Sequence, residues 1–220
     1  MTAFTTLFLK NAAPERGSRR LSALAGIALS LLLLLSLSVS ASTEITKFQL
    51  ERVDDGLALS SQLQFDLAPV VEDALLKGIP LFFVYEADTY RDRWYWTDPR
   101  VASVARTVRL AYQPLTRRWR VNIAAGVIGN SGGLRASLNQ NYESLAEALT
   151  GIQRLTRWRF AEHGELAADS VYRLEFSFRL DLSQLPRPFQ IGVAGQPDWA
   201  VAAQIKERIR PELLRAEAAR

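Results

Sequence analysis

Hydrophobic and polar positions alternate along much of this chain with a period of two, the spacing of a strand with one buried and one wet face. Leu57, Leu59, Leu63, Phe65 and Leu67 alternate with Ala58, Ser60, Gln62, Gln64 and Asp66. The pattern predicts a strand over 57–67, paired with a strand over 44–53 through Asp54-Asp55-Gly56, an Asp-Gly hairpin signal. Val70 to Lys77 instead places Val70, Val71, Ala74 and Leu75 on one side of two helical turns, which Gly78 ends. Residues 79–88 are β-prone without alternation, so that strand is expected to be buried on both faces.

Further on, 101–112 and 118–127 predict a second hairpin around Gln113-Pro114-Leu115-Thr116, with Trp119, Val121, Ile123 and Ala125 on one face of the return strand. A Gly/Ser/Asn-rich connection follows over 129–141. Residues 142–155 have helical spacing with Leu145, Leu149 and Ile152 inward, and Trp158 and Phe160 start a short strand. The clearest alternation spans 171–182: Tyr172, Leu174, Phe176, Phe178, Leu180 and Leu182 face in, and Arg173, Glu175, Ser177, Arg179 and Asp181 face out. Pro186 and Pro188 close it. Residues 198–203 add a possible strand, and 204–220 read as a charged helix or tail. The expected fold is therefore mainly β (α+β): an antiparallel sandwich or curved sheet of about seven strands with two helical crossovers. No internal repeat or linker divides it, so 42–203 reads as one domain.

The first forty residues follow a different pattern. Lys10, Arg16, Arg19 and Arg20 precede an uncharged run from Leu21 to Val39 containing Leu31 to Leu35, and small residues follow at Ser38, Val39, Ser40, Ala41 and Ser42. Basic, apolar and small regions in that order are the plan of a secretory signal peptide. The run also reaches the roughly 20 residues of a spanning helix, so residues 1–41 read as a signal peptide or an uncleaved signal-anchor. Either reading exports the rest to the periplasm, free or tethered to the inner membrane. The leader changes the charge balance as well. The chain carries 27 Lys+Arg and 23 Asp+Glu, and residues 1–41 hold four of the bases and one of the acids, leaving 23 against 22. A near-neutral mature part gives little support to nucleic-acid binding, which needs a basic excess on one face.

Chemistry-bearing motifs are sparse. The chain has no cysteine and one histidine, which excludes thiolate catalysis and disulfides and would leave a zinc ion almost only carboxylate ligands, an unusual set. No metal or cofactor is therefore expected. Gly129-Asn130-Ser131-Gly132-Gly133 copies the nucleophile loop of trypsin-like proteases. However, His163 follows Ser131 instead of preceding it, and too few residues come before Ser131 for two barrels, so the motif reads as a connection. His163 lies in the polar turn Glu162-His163-Gly164-Glu165. Glu86 and Asp92 are the carboxylates that could serve a glycoside hydrolase if they faced each other across a cleft. No catalytic residue is assigned, and a carboxylate-dependent hydrolase acting on an envelope polysaccharide is the alternative reading.

Arginine interleaved with tryptophan recurs at Arg91-Asp92-Arg93-Trp94-Tyr95-Trp96, Arg117-Arg118-Trp119-Arg120 and Arg157-Trp158-Arg159. In the last two, strand alternation sends the indoles inward, with arginine stems over their edges. In the first, Trp94 and Trp96 share one side of a strand end, so Arg91, Arg93, Trp94, Tyr95 and Trp96 form the candidate binding surface for a partner protein or envelope ligand.

Blocks of this sequence resemble a known family: Leu75 to Phe83, Arg93 to Trp96, Ala111 to Arg117 with Trp119-Arg120-Val121, and Asp181 to Gln190. Together, across roughly residues 44–203, they are similar to the domain of unknown function 4390 family. The resemblance implies a proteobacterial envelope protein with a leader. Because genes of that family tend to lie beside a sensor kinase of the nitrogen-regulation type, it also implies an extracytoplasmic role linked to two-component signalling, with a membrane sensor kinase as the implied partner. Residues 129–139 depart from the family's shorter pattern, which weakens a catalytic reading of Ser131 further.

Overall fold

In a computed structural model, residues 43–54, 56–93, 98–126, 138–193 and 195–215 are described. The leader, Asp55, Trp94 to Thr97, the Ser131 motif and the last five residues lie outside them. The strands among the described residues are β1 (Glu44–Val53), β2 (Gly56–Gln64), β3 (Leu81–Arg91), β4 (Arg100–Gln113), β5 (Arg118–Ala125), β6 (Leu138–Tyr142), β7 (Arg154–Glu162), β8 (Tyr172–Leu180) and β9 (Ala202–Ile209). The helices are α1 (Pro69–Leu76), α2 (Leu145–Gln153), α3 (Arg187–Val193) and the single turn α4 (Pro211–Leu214).

The strands form two antiparallel sheets: a three-stranded one in the order β1-β2-β7 and a six-stranded one in the order β6-β5-β4-β3-β8-β9. They face each other as a sandwich. Phe48 of β1 meets Phe176 of β8 at 5.5 Å between ring centroids, and Phe65, just past β2, meets Phe83 at 5.6 Å and Phe178 at 5.2 Å. Each buried aromatic removes a large apolar area from water, worth roughly 1.5–3 kcal/mol. Without disulfides, this layer holds the sheets together.

The two expected helices sit on the crossovers between the sheets. α1 takes the chain from β2 to β3 and ends as the sequence implies: Gly78 adopts φ +84°, and its N–H bonds the Leu75 carbonyl at 2.9 Å. α2 returns the chain from β6 to β7. Ser144 caps it, accepting from the Glu147 N–H at 3.2 Å. Ala148, Leu149 and Ile152 are its buried face. At the first hairpin, Gly56 has φ +144°, and a Cβ there would lie 2.1 Å from the Ala161 carbonyl oxygen of β7. Only glycine lets β1 and β2 turn that close to the third strand.

The architecture is the mainly β, antiparallel one expected, with nine strands among the described residues where about seven were expected. Three details need correction. Part of the Gly/Ser/Asn-rich connection is strand, because Asn139, Gln140 and Asn141 pair with Asn122, Val121 and Arg120 at the sheet edge, where polar side chains suffice. Trp158 lies in the middle of β7, which begins at Arg154 as soon as α2 ends. Residues 202–209 form an edge strand on β8 in place of a charged helix, their alternating Ala203, Ile205 and Ile209 turned toward the core. Charge on the outward positions imitates a helix's polar surface in the sequence.

Candidate functional site

The even-numbered residues of β3 and the odd-numbered residues of β8 face away from the three-stranded sheet, and the register sets their charges side by side. Asp88 pairs with Glu175, Glu86 with Ser177 and Tyr90 with Arg173 on β8; across to β9, Arg173 pairs with Arg208 and Glu175 with Lys206. Arg173 is the hub of this face. Its Nη1 lies 3.0 Å from Asp92, its Nη2 3.1 Å from Asp98 and its Nε 3.2 Å from Glu175, and its guanidinium lies 5.9 Å from the centre of the Tyr90 ring. Lys206 reaches Glu175 at 2.9 Å, and Arg208 approaches Asp92 at 3.9 Å.

The fields these neighbours create are mutual. Asp98 is held below the usual carboxylate range, first by the backbone N–H of Arg93 and then by the Arg173 side chain. Glu175 is lowered chiefly by Lys206, with help from Arg173, and Arg173 is raised, chiefly by Asp98. One guanidinium that satisfies carboxylates from both ends of a loop closes that loop electrostatically.

The closed loop joins β3 to β4. Backbone bonds support it: Arg91 N–H to the Pro99 carbonyl at 3.1 Å, Asp92 N–H to the Val171 carbonyl at 2.9 Å, and Arg93 N–H to Asp98 Oδ1 at 2.9 Å. Of the residues expected to bind, Arg91 turns back toward the core. Its Nη2 donates to the Tyr172 hydroxyl at 3.1 Å, and its guanidinium lies 5.5 Å from the centre of that buried ring. Half-buried Arg91 therefore anchors the base of the loop. Arg93 is exposed. Trp94, Tyr95 and Trp96 lie outside the described residues.

Glu86 and Asp92 are not brought together. Glu86 receives both terminal nitrogens of Arg179, and Asp92 receives Arg173 and Arg208. The chain between them is extended β3, which separates them by about 20 Å at roughly 3.3 Å per residue. A glycosidase pair works at about 5–10 Å, so these two carboxylates do not form one. His163 stays in its turn, beside a cavity of about 370 Å³ whose walls include Arg52, Leu57, Leu166 and Leu213. Among the described residues, no group of three His, Asp or Glu could hold a metal ion, and no helix is long and apolar enough to cross a membrane.

Trp119 and Trp158 are buried, as alternation requires. The guanidinium stacked on Trp158 comes from Arg106 on β4 in the opposite sheet, 5.2 Å from the ring centre. Arg173, Asp98 and Tyr172 join the site through contacts that no local sequence pattern marks. The usable signal was the pair of aspartates bracketing the Trp-Tyr-Trp run, which required a cation between them.

A family model described as Domain of unknown function (DUF4390) matches residues 40–208. No curated protein and no solved structure matches the chain.

Proposed function

The chain belongs to the DUF4390 family, and on that footing we propose that it is an exported, non-catalytic envelope module that binds a partner protein or envelope ligand through the β3–β4 loop. One observation carries this reading: Arg173 ties Asp92 to Asp98, the two residues that flank the aromatic run. A binding segment whose two ends are fixed before contact loses less conformational freedom on association. The aromatic run Trp94-Tyr95-Trp96 between those aspartates has the composition of an interface hot spot. The carboxylates of this face are engaged by arginine and lysine, an arrangement suited to an electrostatic platform and not to proton transfer. Residues 1–41 supply the export signal, and if uncleaved they tether the domain beside membrane partners, a sensor kinase among them.

The test is in vivo photocrosslinking in the full chain, with the reactive side chain placed at position 94 or 96 and, for comparison, at Leu115, a fully exposed residue in the turn at the other end of β4. The reading requires a discrete envelope adduct from 94 or 96 that Leu115 does not give. Equal labelling from both ends of the strand, or none from 94 and 96, overturns it.

A further inference from the structure

Arg106 occupies an unusual place for a charged residue. It lies on the inner face of β4, in register with buried Tyr85 of β3, and crosses the gap between the sheets to stack on Trp158 of β7. It is half-buried. Loss of water lowers the pKa of its guanidinium, an effect that Tyr85 opposes. A desolvated guanidinium is costly unless an anion meets it. Stacking on an indole, worth about 0.5–2 kcal/mol, recovers only part of that cost.

The strand opposite is distorted at the same place. Arg157 of β7 has φ +46°, in the left-handed region, and the β2–β7 register shifts between Leu59 and Ser61. Ser60 holds the bulge, its Oγ accepting the Arg157 N–H at 2.9 Å and facing Glu51 at 3.4 Å. A bulge re-aims a side chain, and a strained non-glycine residue persists only where its surroundings hold it. Arg157 thereby lines, with Arg106, a cavity of about 470 Å³ whose other walls are Val53, Asp54, Trp158 and Arg159. Glu51 touches Arg157 only through Nε, at 3.8 Å and in solvent.

We propose that this cavity between β4 and β7 binds the oxyanion of a small ligand, a carboxylate or a phosphate, with Arg106 and Arg157 as its recognition groups. The planar guanidinium fork offers two parallel N–H donors to such a group. Trp158 forms an apolar wall for the ligand's body. Exposed Asp54 opposes an anion, so the arginines must outweigh it, which selects a ligand that reaches half-buried Arg106.

The test is a titration of the full chain, in a nonionic detergent, with inorganic phosphate and separately with acetate, at constant ionic strength and with chloride as the reference. The readout is the arginine Nε–H and tryptophan indole N–H resonances. Saturable shifts of Arg106, Arg157 and Trp158 with phosphate or acetate, absent with chloride, support the site, and the tighter of the two identifies the ligand's source. R106Q is expected to weaken that binding by about tenfold or more, as loss of a charge-assisted hydrogen bond does. If R106Q does not fold, R157Q is expected to weaken it several-fold on a fold it leaves intact. The absence of saturation with either anion, shifts equal to those of chloride, or unchanged affinity in the variant that folds overturns the proposal.

Discussion

Arg173 on β8 and Asp98, two residues before β4, meet at 3.1 Å across the mouth of a loop whose other end, Asp92, the same guanidinium also holds. Replacing Arg173 with Met keeps the stem and removes the tie. Solvent-exposed ion pairs contribute little to global stability, so Tm should fall by no more than about 4 °C. Amide exchange at Arg93, whose N–H depends on Asp98, should accelerate strongly. Unchanged exchange there would show that the backbone bonds alone close the loop.

The same cluster predicts an acid limb. Asp98 and Glu175 have folded-state pKa values below their ordinary values of 3.8 and 4.5. The unfolded chain therefore takes up protons first as pH falls, and the stability these groups provide is full above the ordinary values and disappears as pH drops through the lowered ones. Tm should be level above about pH 5 and decline below it. In D98N the decline should be shallower. A D98N profile parallel to the parent's would remove Asp98 from the account.

Gly56→Ala should be among the most damaging small substitutions. The added methyl would meet the Ala161 carbonyl oxygen at 2.1 Å, and alanine disfavours φ +144°. A loss of more than about 1 kcal/mol is expected from the backbone alone. Denaturant unfolding followed by far-ultraviolet circular dichroism measures it.

Phe178→Ala removes the ring that meets Phe65, Phe83 and Tyr85 at centroid distances of 5.2, 5.7 and 4.9 Å. The expected cost is about 3–5 kcal/mol, read as a fall in Tm of roughly 10 °C. Tyr85→Phe isolates a different contribution, since the Tyr85 hydroxyl donates to the Ile152 carbonyl at the end of α2. Losing that bond should cost about 1–3 kcal/mol by leaving a buried carbonyl unpaired.

The sequence made legible whatever depends on short-range periodicity. β1, β2, α1, the β4–β5 hairpin, α2 and β8 could be read because Leu57 to Leu67, Leu145 to Ile152 and Tyr172 to Leu180 each carry their own period, and Gly56 and Gly78 mark their turns. β6 and β9 could not. Asn139 to Asn141 form a strand because β5 offers an edge, and Lys206 and Arg208 stand on a strand because Glu175 and Asp92 face them. The candidate site divides along the same line. The aromatic run and its arginines were visible as composition, whereas the turn of Arg91 toward Tyr172 and the bridge made by Arg173 depend on β3–β8 register, which no local pattern encodes. Arg106 was hidden for the same reason, because its partner Trp158 belongs to the facing sheet.

The strand order has a kinetic consequence. β1 and β2 form a hairpin early in the chain, yet their sheet is completed by β7, with Leu59 pairing to Trp158, and β3 is flanked by β8, with Phe83 pairing to Leu180. The three-stranded sheet cannot close until β7 has been delivered, nor the six-stranded one until β9 at the far end of the domain. Such non-local pairing places folding in the slow range, milliseconds to seconds. During that interval the β2 edge and the Phe65 surface remain uncovered, and a chain that emerged amino end first would depend on whatever shields them until Trp158 and Phe178 arrive.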